Sequence, residues 1–317
     1  MTASGSGTAG GAATGGRSRR VVLLVAHTGR DDVAARTRVA AKGLIERGFQ
    51  VRMLADEALD AGLVGQEDVE VVEIEYQRQA AEGAEFALVF GGDGTFLRAC
   101  ELVHDYGTPL LGVNLGHVGF LAEAEPGELE AALDAIAGCV YTVDRRVTLD
   151  VEVLVDGEVK ARTWALNEAS VEKSSRERLL EIAVRVDRRP LLRFGCDGVL
   201  CATPTGSTAY AFSAGGPIVW PDVDALLVVP NAAHAVFSRP LVLSPGSVVE
   251  MELLRSDHPG VLSCDGRRSV DLPPGCVVVV RKSPQPIAVA RLLGDTFAER
   301  LVAKFGIPVR GFRDESP

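Results

Sequence analysis

An aspartate inside a glycine-rich turn is the feature of this sequence that most directly indicates chemistry. The apolar run Phe86–Phe90 is followed by Gly91-Gly92-Asp93-Gly94-Thr95. Glycines let backbone N–H groups approach a ligand closely, and a helix predicted from Thr95 onward directs its partly positive N-terminus to the same place. Such a turn favours phosphate, which a carboxylate repels unless it accepts a proton or serves a metal. Asp93 is therefore predicted to act in the reaction, the alternative being an ordinary turn residue.

A second stretch, from Gly195 to Ile218, has the composition of a binding surface. It combines Gly, Ser, Thr and Asp with one aromatic residue, Tyr210. Small hydroxyl residues suit a ligand with many hydrogen-bonding edges, and the Tyr210 ring could lie against a flat heterocycle. The stretch is too apolar for a solvated loop and is interpreted as too glycine-rich for a core strand. The alternative is a serine- and threonine-rich loop that binds nothing.

Four stretches together resemble the bacterial NAD kinases, and among these the actinobacterial type. They are residues 91–95, 113–121, Asn167-Glu168 and 197–218, in the family's order. The similarity extends from about Val21 to the region of Phe305. The diglycine-Asp-Gly turn alone is less specific, since lipid kinases share it and phosphofructokinases have a variant. The resemblance implies that ATP phosphorylates the adenosine-ribose 2′-hydroxyl of NAD to give NADP.

The resemblance also implies roles for individual residues. Asp93 would orient the hydroxyl and accept its proton, while the backbone of Gly91, Gly92 and Gly94 would hold the donor phosphates. Mg²⁺ would be carried mainly by those phosphates, with no protein cage. Some relatives accept polyphosphate as well as ATP, so the donor is left open, and a homodimer or homotetramer is expected. The residues expected to contact substrate are Gly94, Arg98, Phe120, Asn167, Glu168, Arg178, Asp197, Thr208, Ala209, Tyr210, Ala211, Phe212 and Ser213.

Composition excludes some classes of function. The chain has 317 residues, of which 47% are hydrophobic, and a formal net charge of −10. This acidic balance argues against broad binding to nucleic acid or anionic membranes, for which a basic surface would supply the affinity, although a local cluster at Arg185, Arg188 and Arg189 stays open. No apolar run has the length of a membrane span, and a cytoplasmic protein is expected. The six cysteines and five histidines show no zinc-ligand spacing.

The elements that must position these residues divide the chain in two. Strands predicted at Val21–Val25, Phe86–Phe90 and Pro109–Val113 alternate with helices, which favours an α/β domain over residues 20–143 with a mostly parallel sheet. Both candidate turns of this half follow strands, where open α/β sheets bind ligands. Hairpin patterns such as Val147–Val155 with Val159–Leu166 predict an antiparallel all-β domain over residues 144–290.

The two ends of the chain are predicted to differ in structure. Residues 1–19 are mostly Gly, Ala, Ser and Thr and are predicted to form a disordered tail. The resemblance implies that residues 291–317, with a helix at Phe297–Phe305, return to the first domain. A cleft between the domains would then bring the Asp93 turn against the segment from Asp197 to Ser213.

Two rival functions share part of this pattern. A diacylglycerol or sphingosine kinase would have the turn at residues 91–95, but it would need an apolar or basic surface facing a membrane. A non-catalytic dinucleotide sensor would keep Asn167 and Asp197 and would have no use for Asp93. The presence of Asp93 favours an enzyme.

Overall fold

The computed structural model describes residues 19–113, 119–121, 126–174, 179–254, 258–292 and 296–308. The first part of the chain contains β1 (Arg20–Ala26), α1 (Asp31–Glu46), β2 (Phe49–Leu54), α2 (Ala55–Asp60), β3 (Val69–Val72), β4 (Phe86–Phe90), α3 (Asp93–Val103), β5 (Leu110–Val113), α4 (Leu129–Gly138) and β6 (Thr142–Arg146). Short 3-10 helices lie at Ile74–Gln79 and Pro126–Glu128.

The second part is built almost entirely of strands. It contains β7 (Leu149–Val155), β8 (Glu158–Ala165), β9 (Glu168–Lys173), β10 (Leu180–Val186), β11 (Arg189–Cys196), β12 (Gly198–Ala202), α5 (Tyr210–Ser213), β13 (Leu226–Asn231), β14 (Leu241–Leu243), β15 (Val249–Leu253), β16 (Gly260–Cys264), β17 (Arg268–Leu272) and β18 (Val277–Lys282). A 3-10 helix, Thr205–Thr208, precedes α5. The chain then forms β19 (Ile287–Arg291) and α6 (Phe297–Phe305).

The first sheet has the order β3-β2-β1-β4-β5-β19-β6, and all its pairs are parallel except β19 with β6. Val22 and Leu24 of β1 pack in one core with α1 and α4, while Leu23 and Val25 pack in another with α3. Burial on both faces explains why the strands read as continuous apolar runs. The predicted α/β domain with a mostly parallel sheet is confirmed.

The second domain is a sandwich of two antiparallel sheets. One has the order β11-β10-β15-β18-β7-β8 and the other β14-β13-β12-β9-β16-β17. Alternate residues of β7, among them Val151 and Val153, point into a core shared with residues of the facing sheet such as Val171 and Val199. The predicted all-β domain is confirmed as well.

The second domain is inserted into the first between β6 and β19. The predicted boundaries at residues 143/144 and 290/291 fall inside these two strands, which belong to the first sheet. The two connecting segments lie side by side, because the Ser283 N–H donates to the Thr148 carbonyl (2.8 Å) and the Thr148 hydroxyl donates to the Gln285 carbonyl (2.5 Å). No helix within the described ranges is both long and apolar enough to span a bilayer.

Two details differ from the sequence interpretation. Residues 198–202, part of the stretch from Gly195 to Ile218 that was interpreted as too glycine-rich for a core strand, form the fully buried strand β12. Gly198 is needed there because a Cβ would lie 2.6 Å from the Val171 carbonyl oxygen on the neighbouring strand. Helix α3 begins at Asp93 rather than at Thr95, so the aspartate lies in its first turn.

Candidate functional site

A pocket of ≈ 360 Å³ lies where the order of the first sheet reverses, between β1 and β4. Strands β2 and β3 continue from β1 on one side, and β5 follows β4 on the other, so the turns after β1 and β4 leave a crevice at their carboxyl ends. The His27 N–H donates to the Phe90 carbonyl (2.9 Å) and joins the two turns. The pocket is lined by His27, Thr28, Gly92, Gly94, Thr95, Arg98 and, from the second domain, Arg267.

The turn at Gly91 is compact because the backbone and a side chain touch. A Cβ on Gly91 would lie 2.6 Å from Thr95 Cβ, so only glycine fits. Gly92 is the N-cap of α3 and has no side chain to satisfy the first N–H groups of the helix. The Thr95 N–H donates to the Gly92 carbonyl (3.0 Å), so the N–H groups of Asp93 and Gly94 are the ones available to an anion among the described residues.

The Asp93 carboxylate is held by the loop that follows β5. The Leu121 N–H donates to Asp93 Oδ1 (3.3 Å). A Cβ on Gly119 would lie 2.5 Å from the same oxygen, so the loop backbone packs directly against the carboxylate. Asp93 is half-buried beside the pocket and its orientation is fixed from two elements.

Arg98 extends from α3 towards the end of β1. Its guanidinium forms an ion pair with the buried Glu57 and donates to the Ala26 carbonyl (3.0 Å), while Glu57 also accepts from the Ala26 N–H (2.8 Å). Burial lowers the pKa of Arg98, and the neighbouring charge of Arg267 lowers it further. Arg98 therefore lies at the pocket wall with its position set by a buried partner.

The second half of the site starts at Asn167 and Glu168, where β9 begins. Both are buried, and their backbone N–H groups donate to Asp265 Oδ1 (2.7 and 3.3 Å). The Leu166 N–H donates to Asp265 Oδ2 (2.9 Å). Sequence analysis missed Asp265, because Asp-Gly between two strands looks like an ordinary hairpin turn.

Asp265 continues into an ion-pair network between the domains. Arg268 donates to Asp265 Oδ2 (2.6 Å) and pairs with Glu101 of α3, and its guanidinium lies 4.3 Å from the centre of the Trp164 ring. Arg267 bonds the same Glu101 through Nε (3.0 Å). Residues 265–268 therefore contact both helix α3, which carries Asp93, and the backbone of Asn167 and Glu168.

Glu168 has an unusual carboxyl group. Its pKa is raised to about 8, first by burial and then by the charge of Asp265, although a hydrogen bond from the Tyr210 backbone opposes the shift. Oε2 is buried and has no hydrogen-bond partner among the described residues. A buried oxygen without a partner is costly unless a ligand or a proton satisfies it.

The segment from Thr203 to Thr208 packs on the backbone of Asn167. The Thr203 N–H donates to the Asn167 carbonyl (2.9 Å), and a Cβ on Gly206 would lie 2.7 Å from Asn167 Cα. The chain then turns into α5, whose first residue is Tyr210.

Tyr210 and Asp197 lie on the same side of the second domain. The Tyr210 hydroxyl accepts from Asn231 Nδ2 (2.9 Å), and the Asp197 carboxylate accepts from Lys173 Nζ (2.5 Å). The pKa of Tyr210 is raised, mainly by burial, with smaller contributions from the charges of Glu172, Asp197 and Glu168. The structure thus brings Glu168, Asp197 and Tyr210 together.

Phe120 and Phe212 meet in an aromatic cluster formed with α6. The ring of Phe305 lies 5.6 Å from that of Phe120 and 4.5 Å from that of Phe212. Phe297 contacts both Phe120 (5.9 Å) and Trp220 (5.1 Å). Helix α6 therefore contacts the loop after β5 and the second domain at once.

The remaining expected residues differ in position. Ser213 is exposed and Thr208 and Ala209 are half-buried, whereas the Ala211 methyl group is buried beneath α5. Arg178 lies outside the described residues, as do residues 114–118. No group of three or more His, Cys, Asp or Glu side chains in the described part of the chain could hold a metal ion.

Comparisons with known proteins show which family has this sequence pattern. Two family models match the chain: the ATP-NAD kinase N-terminal domain over residues 22–139 and the ATP-NAD kinase C-terminal domain over residues 166–292. NAD kinase 2 of Streptomyces coelicolor is 51% identical over 294 residues, covering 93% of this chain and 97% of the relative. NAD kinase of Mycobacterium tuberculosis is 47% identical over 303 residues, covering 93% and 99%.

Two solved structures share the fold. Yeast NADH kinase complexed with NADH has a TM-score of 0.84 at 22% identity, covering 92% of this chain and 89% of that one. An NAD kinase from Archaeoglobus fulgidus in complex with ATP has a TM-score of 0.66 at 26% identity, covering 90% and 98%. None of these matches is a lipid kinase or a dinucleotide sensor, so neither rival is supported. By its two domains and by these relatives, the chain belongs to the NAD kinase family.

Proposed function

We propose that this chain transfers the terminal phosphate of ATP to the 2′-hydroxyl of the adenosine ribose of NAD. The observation that carries the proposal is the position of Asp93. Its carboxylate is fixed by the Leu121 N–H at the N-terminus of α3, next to the pocket lined by Gly92 and Gly94. An acceptor hydroxyl bound at this carboxylate would face phosphates held by the glycine backbone.

Asp93 is a weak base for an alcohol, yet phosphoryl transfer needs little early deprotonation of the nucleophile. In a loose transition state, alignment and electrostatic stabilisation contribute more than basicity. Asp93 would accept a hydrogen bond from the hydroxyl and take its proton late in the transfer. The first N–H groups of α3 and Arg98 would stabilise negative charge on the donor phosphates.

The residues present fit a magnesium ion that is bound mainly through the donor. Mg²⁺ prefers one or two protein carboxylates together with substrate phosphates and water. Asp93 is a carboxylate suited to that role, and the described residues offer no complete cage. When bound, the ion would neutralise charge on the phosphate oxygens.

The second domain would hold the dinucleotide. Glu168 Oε2, Asn167 and Asp197 offer polar groups for ribose hydroxyls and an amide, and Tyr210 offers a ring face. Thr208, Ala209 and Ser213 lie on the same segment. The donor, ATP or polyphosphate, is not distinguished by these residues.

Removal of the Asp93 carboxylate tests the proposal directly. Purified protein with NAD, ATP and Mg²⁺ should form NADP, and Asp93→Asn should lower kcat by about 10² or more, the usual scale for loss of a general base. NAD binding measured by calorimetry should persist. Asp105→Asn, at an exposed residue just beyond α3, is the matched control. Near-normal turnover by Asp93→Asn would exclude Asp93 as the base.

Two substitutions of Tyr210 distinguish the contribution of its ring to NAD binding from the contribution of its hydroxyl. Tyr210→Ala should weaken NAD binding by roughly 1 to 3 kcal/mol, the range for a base stacked on an aromatic ring, and should affect ATP binding less. Tyr210→Phe loses only the bond to Asn231 and should retain most of the affinity. Tyr76→Ala, at an exposed ring of the first domain, controls for loss of a tyrosine. If calorimetry found the same NAD affinity for Tyr210→Ala as for the wild type, the dinucleotide would have to bind elsewhere.

Glu168 should make the stability of the ligand-free protein depend on pH. The folded-state pKa of about 8 exceeds the ordinary value of 4.5, so the folded protein holds a proton that the unfolded chain releases between these values. The free energy of unfolding should then fall as pH rises from about 5 to about 8, by on the order of a few kcal/mol. Glu168→Gln cannot ionise and should flatten this dependence.

Thermal unfolding across that pH range measures the effect. Glu158→Gln, at an exposed carboxylate on β8, should keep the wild-type slope. Parallel Tm curves for the wild type and Glu168→Gln would show that the Glu168 carboxyl is not protonated in the folded state.

We also propose a homodimer or homotetramer acting in the cytoplasm. Strand β14 lies at the edge of its sheet. It carries the exposed Val242, and two further exposed apolar residues, Val236 and Phe237, precede it in the chain. Exposed apolar groups at a strand edge favour association with another chain. Sedimentation velocity should give a dimer or tetramer, and Val242→Asp with Phe237→Asp should shift it towards monomer. A wild-type monomer at micromolar concentration would contradict the proposal.

A further inference from the structure

Two guanidinium groups from different domains line the phosphate pocket. Arg98 comes from α3, and Arg267 comes from the turn between β16 and β17. Of the described residues that line this pocket, none is acidic. Arg98 is paired with Glu57 and Arg267 with Glu101, and both guanidinium groups face the same pocket. An anion in the pocket could therefore contact both of them.

The guanidinium groups of Arg267 and its neighbour Arg268 differ in their hydrogen-bond partners. Arg268 bonds Asp265, pairs with Glu101 and donates to the Trp164 carbonyl (3.0 Å), so it links the domains. Among the described residues, the Arg267 side chain bonds Glu101 alone, through Nε (3.0 Å) and Nη2 (3.3 Å). Its Nη1 has no hydrogen-bond partner among the described residues, and its side chain remains one-third exposed.

Glu101 pairs with both Arg267 and Arg268, whereas Asp265 pairs with Arg268. The two carboxylates balance the two guanidinium groups in charge, but Arg267 uses only Nε and Nη2 for its pair, so Nη1 is left to bind an anion. Guanidinium binds phosphate oxygens in charge-assisted pairs.

We propose that Arg267 binds the phosphate chain of the donor from the second domain, opposite Arg98 and the first N–H groups of α3. The donor phosphates then bridge the two domains next to Asp93. This role deepens the proposed function and rests on it for the identity of the donor. The chemistry recognised is a linear chain of phosphates, whether in ATP or in an inorganic polyphosphate.

The competing explanation is that Arg267 only ties the second domain to α3 through Glu101. In that case Glu101→Gln, which loses the pairs with both Arg267 and Arg268, would weaken phosphate binding at least as much as Arg267→Gln. A phosphate-binding residue predicts different effects, because Glu101→Gln removes a competitor for Arg267 and leaves the guanidinium in place.

Calorimetry with inorganic tripolyphosphate separates these explanations without requiring turnover. Arg267→Gln should weaken tripolyphosphate binding and raise the KM for ATP, each roughly tenfold or more, with the KM for NAD and the Tm nearly unchanged. Arg267→Lys should restore part of the affinity. Glu101→Gln should bind tripolyphosphate at least as tightly as the wild type. Arg193→Gln, at an exposed arginine on β11, should match the wild type.

Several outcomes would overturn the assignment. These are equal tripolyphosphate affinity in the wild type and Arg267→Gln, an equal loss in Glu101→Gln, or no binding to the wild type. Parallel changes in the KM for ATP and for NAD would likewise indicate a structural role. If tripolyphosphate binds as expected but no NADP forms, the proposed function fails while the role of Arg267 stands.

Discussion

The Asp265 carboxylate accepts hydrogen bonds from three consecutive backbone N–H groups, those of residues 166–168, and bonds Arg268 on its other side. Because Arg268 also pairs with Glu101, one chain of contacts runs from the start of β9 to α3. The distance between Asn167-Glu168 and Asp93 depends on this chain of contacts. Asp265 itself has a positive φ of 56°, which Asp tolerates better than most residues.

Close backbone approach is the second constraint on the site. Gly91 packs against Thr95, Gly119 against Asp93, and Gly206 against Asn167, and in each case a Cβ would collide. These glycines are therefore required by packing, whether or not a ligand is bound. At these three places the structure of the site is set by backbone contacts, which need no side-chain rotamer to be fixed.

Local signals in the sequence predicted the elements that carry the first half of the site. The apolar run, the glycine turn and the helix at residues 86–103 were identified because their periodicity is local. Strand β12 was misinterpreted, because its Gly198 is explained only by a neighbouring strand. Asp265 and Arg267 were missed for the same reason, since their contacts join residues about 100 or more positions apart.

The insertion of the second domain also determines when the first sheet can be completed. Strand β19 is the last strand in the described part of the chain, yet it lies between β5 and β6, and five residue pairs join it to β6. A ribosome therefore releases residues 20–146 while β5 still has an open edge, and that edge stays open until the whole sandwich has been made. Unpaired edges recruit other chains, and pairing of such distant segments is slow. During synthesis there is thus a period in which the first domain has been made but its sheet is incomplete, because β19 has not yet been synthesised.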